Sequence, residues 1–117
     1  MEQEVFIEKS KKIAIKLQEE GCSKIEILDI SKKSSQSKVM IIASTEDAQK
    51  SKVVASDLEV FLPEQDIQIQ NIDGGFKGEW IGIDCKEILI NIFVDDVRAK
   101  YNLEKLWKDS KNIIKWK

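Results

Sequence analysis

Residues 88–94 read Ile-Leu-Ile-Asn-Ile-Phe-Val, and no other stretch restricts the fold of this chain so strongly. A strand with one wet face alternates apolar and polar residues. A nearly continuous apolar run leaves no wet face, so this segment is expected at the centre of a sheet with both sides covered. Val39-Met40-Ile41-Ile42 is a second apolar run of strand length, and Ile25, Ile27 and Leu28 open a β-rich run ending near Ile30. The polar, Lys-bearing stretch 31–38 lies between those two and reads as a turn. Ile67 and Ile69 alternate with Gln68 and Gln70, which predicts a half-exposed third strand ahead of the Asp73-Gly74-Gly75 turn. Trp80, Ile81 and Ile83 form a fourth strand, joined to the central one by a tight turn at residues 85–87.

Helices fit between and around these strands. Phe6, Ile13 and Leu17 recur at helical spacing with Ala14 beside them, predicting a helix over residues 3–20. Glu8/Lys12 and Lys16/Glu20 are i,i+4 pairs on its wet side, and Gly21 is a natural stop. Ser44 or Thr45 is placed to cap a second helix, with Asp47 in its first turn. Ala48, Ser51, Ala55, Leu58 and Leu62 trace its stripe, and Pro63 ends it. A third helix is expected over residues 95–107, since Asp95 and Asp96 suit the positive end of a helix dipole. Projected at 100° per residue, Ala99, Leu103 and Leu106 form its core face, with Val97, Tyr101 and Glu104 opposite and Arg98 and Lys105 at their flanks. The order is α-β-β-α-β-β-β-α: an α/β domain at residues 1–107, a mixed sheet of about five strands flanked by helices, followed by a short basic tail at residues 108–117.

At 117 residues the chain is long enough for one core without disulfide or metal staples, since a domain of this size removes roughly two thirds of its extended surface from water. Histidine is absent, which excludes His-based triads and HExxH or mixed Cys/His zinc sites. Cys22 and Cys85 are too few for a four-thiolate zinc site and are expected as free thiols in a reducing compartment. The acidic start, Met1-Glu2-Gln3-Glu4, fits neither a signal peptide nor an Arg-rich transit peptide, and no run reaches the roughly 20 apolar residues of a membrane span. A cytoplasmic protein with no membrane partner is expected.

Charge is unevenly spread. Residues 63–107 hold five basic residues against nine acids, whereas residues 108–117 hold four lysines against Asp109. An acidic second half is a poor phosphate-binding surface and a better match for a basic protein. Val97, Tyr101 and Glu104, away from the expected core stripe, mark a contact surface. Arg98, the chain's single arginine, is a candidate for an interface or site-organising role, with a plain ion pair to Asp95 or Asp96 as its structural alternative. Trp80 is either a rim aromatic or a partner anchor.

The stretch Trp80-Ile81-Gly82-Ile83-Asp84, then residues 88–93, then Arg98-x-x-Tyr101-x-Leu103-Glu104-x-Leu106-Trp107, resembles the signature of the Iojap family, the ribosomal silencing factors called RsfS. Gly74, six residues before Trp80, and Leu28-Asp29-Ile30-Ser31 match in type and spacing. The resemblance covers most of residues 3–107. It implies a nucleotidyltransferase-like fold without enzymatic activity or cofactor. It also implies binding to the large ribosomal subunit through ribosomal protein fourteen, with a lesser contact to ribosomal RNA, and a block on subunit joining that represses translation. A homodimer off the ribosome is a further partner to consider. Partner contacts are expected at Trp80, Asp84, Asp95, Asp96, Val97, Arg98, Tyr101 and Glu104. The sequence departs from the family where Ser37-Lys38 replaces a Thr-Asp, where Asn91 replaces a His, and at the more acidic Thr45-Glu46-Asp47.

Two rival readings are weaker. A nucleotidyltransferase needs a Gly-Ser turn and paired acids to hold divalent metal; Ser34-Ser35 lacks the glycine and no Asp-x-Asp occurs. An RNA-binding ribosome-assembly module would draw on Lys32, Lys33, Lys38 and the tail, against the acidic second half and the lack of an RRM or KH signature.

Overall fold

The computed structural model describes residues 2–32 and 34–101, with the side chains of Glu2 and Tyr101 outside that description. Its elements run α1 (Glu2–Glu19), β1 (Ser23–Asp29), β2 (Val39–Thr45), α2 (Ala48–Glu64), β3 (Asn71–Asp73), β4 (Trp80–Asp84), β5 (Ile88–Val94) and α3 (Asp95–Tyr101), in the expected order. The five strands form one sheet, β1-β2-β5-β4-β3, with β5 in the middle as its sequence requires. Only the β2/β5 pair is parallel; the other three pairs are antiparallel, so the sheet is mixed. The tail and residues 102–107 of the expected third helix lie outside the described residues.

Strand alternation sorts the side chains onto two faces. On one, Ile27, Val39, Ile41, Ile81, Ile83, Ile88, Ile90 and Ile92 pack beneath α1 (Ile13, Leu17) and α2 (Val54, Leu58, Leu62) as the main core. The other face carries a smaller cluster of Leu28, Ile30, Met40, Ile42 and Phe93, against which Trp80, Leu89 and Val97 pack. Cross-strand register arranges this second face in rows. One row crosses all five strands as Glu26, Ile42, Asn91, Gly82 and Asp73; the next holds Ser44, Phe93 and Trp80.

β2 is buried at every position, but β5 is fully buried only toward α1 and α2. On its other side Phe93 is buried while Leu89 and Asn91 are half-exposed, so the expectation of two covered faces holds for β5 only in part, and it is β2 that is covered on both sides. Among the described residues, α3 packs on β5 and β2 at the end of the strands where it begins.

Local chemistry explains the other departures. Asp47, not Ser44 or Thr45, caps α2: its carboxylate accepts the Lys50 N–H at 2.8 Å, while both earlier residues remain in β2. Pro63 lies in the last turn of α2, which ends one residue later at Glu64. The third strand starts at Asn71 instead of Ile67 because β4 supplies no partner earlier: Asn71 pairs with Asp84, and beyond Asp84 the chain turns. Ile67 instead drops into the core after Asp66, which takes a left-handed φ of 60°. On α1, Glu8 pairs with Lys11 at 3.4 Å instead of Lys12, while Lys16 meets Glu20 at 3.3 Å as expected. Gly21 ends the helix with φ +91°.

Candidate docking groove

The last described helix faces the sheet differently from its projected wheel. Ala99, expected in the core, is exposed, whereas Val97, expected on the contact face, packs on the smaller cluster and Arg98 is buried. A guanidinium buried in this way must satisfy its fixed donors, and the partners among the described residues come from distant elements. Its Nη1 donates to the Lys24 carbonyl and, at 2.8 Å, to Ser44 Oγ; its Nη2 faces Glu26 Oε1 at 3.4 Å. The Lys24 carbonyl belongs to an irregularity in β1. The β1/β2 register shifts between Ser23 and Glu26, and Lys24 adopts φ 49°. Bulges of this kind re-aim backbone groups out of the ladder. Arg98 thus ties the start of α3 to β1 and β2. Asp95 approaches Lys24 Nζ at 4.0 Å, and Asp96 is exposed.

Trp80 opens β4 beside this anchored helix. Its ring stacks on Phe93 with centroids 4.8 Å apart, and its indole N–H donates to Asn91 Oδ1 at 2.9 Å. The preceding loop is pressed onto the same residue. Gly74 has φ +80°, and a Cβ there would overlap the Trp80 carbonyl oxygen, which accounts for a glycine six residues ahead of the tryptophan. Held this way, the loop projects Phe76 into solvent at 92% exposure, with Lys52 Nζ 6.0 Å from the ring centroid.

Loop, strand and helix enclose a groove of about 510 Å³ lined by Gly74, Phe76, Lys77, Glu79, Trp80, Val97 and Lys100. Of the predicted contact residues, the groove unites Trp80 and Val97, with Arg98 buried behind them. Asp84 stands at the opposite end of β4, about 13 Å away at strand rise, where its carboxylate accepts the Lys86 N–H at 2.8 Å. The Tyr101 side chain and Glu104 lie outside the described residues. The rim is mixed in charge, with Lys77 and Lys100 beside Glu79, so the expected acids do not converge on it. Phe76 and Lys100 escaped the sequence reading. The available signal was a lone phenylalanine in Gly74-Gly75-Phe76-Lys77-Gly78, where a turn gives an aromatic nothing to pack into.

A larger cleft of about 600 Å³ lies at the start of β5, among Phe6, Pro63, Ile67 and Cys85. Burial pushes the Cys85 thiol up to about 11, so at neutral pH it is a protonated wall group and no nucleophile. Cys22 is likewise pushed up to about 11 by burial, and both cysteines are free. Among the described residues, no helix is long and apolar enough to cross a membrane.

The chain matches the family model described as "Ribosomal silencing factor during starvation" over residues 3–116. It is 32% identical over 84 residues to a ribosomal silencing factor RsfS of Chromobacterium violaceum, covering 72% of this chain and 69% of that one. It is 37% identical over 60 residues to the RsfS of Halalkalibacterium halodurans, a match spanning about half of each chain (51%). A crystal structure of a C. violaceum protein superposes with a TM-score of 0.81 at 30% identity, covering 87% of this chain and 86% of that one. A structure from Bacillus halodurans, at 23% identity and a TM-score of 0.78, shares the fold, covering 92% of this chain and 98% of that one. The family match takes in both walls of the groove and the anchored helix behind it, and the chain belongs to the ribosomal silencing factors, RsfS, a family of ribosome-associated regulators with a starvation-linked role in silencing translation.

Proposed function

We propose that this protein silences translation sterically, by docking on the free large ribosomal subunit through ribosomal protein fourteen, on the surface that would otherwise meet the small subunit. The chain contributes no chemistry in this reading; its work is to occupy space. The observation that carries it is the groove: Phe76 is solvent-facing and Trp80 is fixed from two sides, so a partner gains aromatic contact without first ordering the anchor. The mixed rim suits a protein partner that offers both charges more than a phosphate backbone. Such a role is cytoplasmic, where subunits join.

Co-sedimentation with separated ribosomal subunits tests the reading. The wild-type chain is expected to pellet with large subunits and not with small ones. Phe76→Ala combined with Trp80→Ala, if still folded, is expected to bind at least tenfold more weakly, as for loss of central interface aromatics. Tyr101→Ala with Glu104→Lys extends the test to the two further contact residues that the sequence predicts. Equal pelleting of all folded variants would remove this surface from the account. Binding to protein-free ribosomal RNA with a steep salt dependence would favour the RNA-binding alternative instead.

A further inference from the structure

Asn91 interrupts the apolar run of β5, and its position gives it one evident task. It occupies the middle of the row that crosses the sheet, with Ile42 opposite on β2 and Gly82 opposite on β4. Neither neighbour offers a side-chain polar group. Trp80 lies two residues before Gly82 on the same face of β4, and its indole N–H reaches diagonally to Asn91 Oδ1 at 2.9 Å. Indole nitrogen only donates, so the amide must turn its oxygen toward it. Gly82 lies beside the acceptor without a side chain of its own: a Cβ there would come into ordinary contact, at 3.7 Å, with the same oxygen. Phe93 then fixes the plane of the ring by stacking at 4.8 Å. Two independent restraints therefore hold an indole that lines the groove at its half-buried edge.

We infer that Asn91 is a positioning residue of the docking surface: it sets the orientation of Trp80 toward the partner, through an acceptor that carries no titratable proton. This rests on the docking reading above and adds a residue outside the lining of the groove. An amide oxygen accepts a hydrogen bond at any physiological pH, so the anchor orientation does not change with acidification. The charged groups around position 91 come from both ends of its row, from β4 and from α3. Glu26 and Asp73 lie at the two ends of its row, Asp84 is one row away on β4, and Arg98 and Lys100 come from α3.

Two substitutions separate positioning from mere packing. Asn91→Leu removes the acceptor while keeping side-chain volume. Asn91→His retains an acceptor only while the imidazole is neutral, and loses it as pH falls through about 6.5, because both ring nitrogens of the cation donate. The measurements are large-subunit binding at pH 8.0 and 5.5, and solvent exchange of the Trp80 indole proton by NMR, assigned with Trp80→Phe. Asn91→Leu is expected to bind roughly tenfold more weakly at both pH values, with a faster-exchanging indole proton. Asn91→His is expected to match wild type at pH 8.0 and to lose about the same factor at pH 5.5, relative to wild type at each pH. Wild-type affinity for Asn91→Leu, or a flat relative profile for Asn91→His, would overturn the inference. If the wild-type chain itself fails to bind large subunits, the docking reading falls. The indole exchange rates then decide the positioning inference alone, and unchanged exchange in both variants would end it.

Discussion

Replacing Gly74 by alanine puts a methyl group onto the Trp80 carbonyl oxygen at a φ of +80°, where L-residues are already strained. The expected cost is at least about 2 kcal/mol, read by chemical denaturation, with the loop displaced from Trp80. Phe76→Ala is the contrast: at 92% exposure its stability should stay within about 0.5 kcal/mol of wild type while large-subunit binding falls. Arg98→Met removes the donor that reaches the Lys24 carbonyl and the Ser44 hydroxyl and the cation that faces Glu26 at 3.4 Å, and is expected to destabilise by about 2–3 kcal/mol. An unchanged denaturation midpoint would show that the tie does not hold α3. The importance of Gly74, Trp80 and Arg98 was legible in the sequence, from type and spacing. Their tasks were not, because those depend on which carbonyl or side chain lies opposite, and Lys24 precedes Arg98 by 74 residues.

The apolar period carried the elements well wherever a segment packs on one large surface. The first two helices, the order of elements along the chain and the central place of β5 all follow from it. It misplaced α3 because a buried arginine is invisible to a wheel that counts apolar residues: Arg98 and Val97 point inward, and Ala99 outward. It misplaced β3 because alternation at residues 67–70 records burial of Ile67, not ladder pairing, and pairing was limited by the length of β4. The cap of α2 is expected at Ser44 or Thr45 and falls instead on Asp47, which the expectation puts in the first turn; the Lys50 N–H decides it. Asp47→Ala is accordingly expected to cost about 1 kcal/mol in denaturant unfolding. An unchanged unfolding free energy would remove the cap from Asp47.

For the molecule as a whole, two buried thiols make stability fall at alkaline pH. Both are raised above the ordinary value of 9.0 to about 11 in the folded state, so above about pH 9 the unfolded chain has lost protons that the native one retains. Unfolding free energy should therefore be level from pH 7 to 8.5 and decline from pH 9 toward 10, with a shallower decline in Cys22→Ala/Cys85→Ala. An identical decline in the double variant would assign it to other groups. In the same account the intact thiols do not react with iodoacetamide at pH 7.5 until the chain unfolds. The central claim is that the protein acts as an obstacle, and light scattering during the joining of purified large and small ribosomal subunits tests it most directly. Joining should slow in proportion to the share of large subunits occupied, and recover when Phe76→Ala/Trp80→Ala replaces the wild type. Joining at an unchanged rate with wild-type protein bound at saturation would contradict the claim.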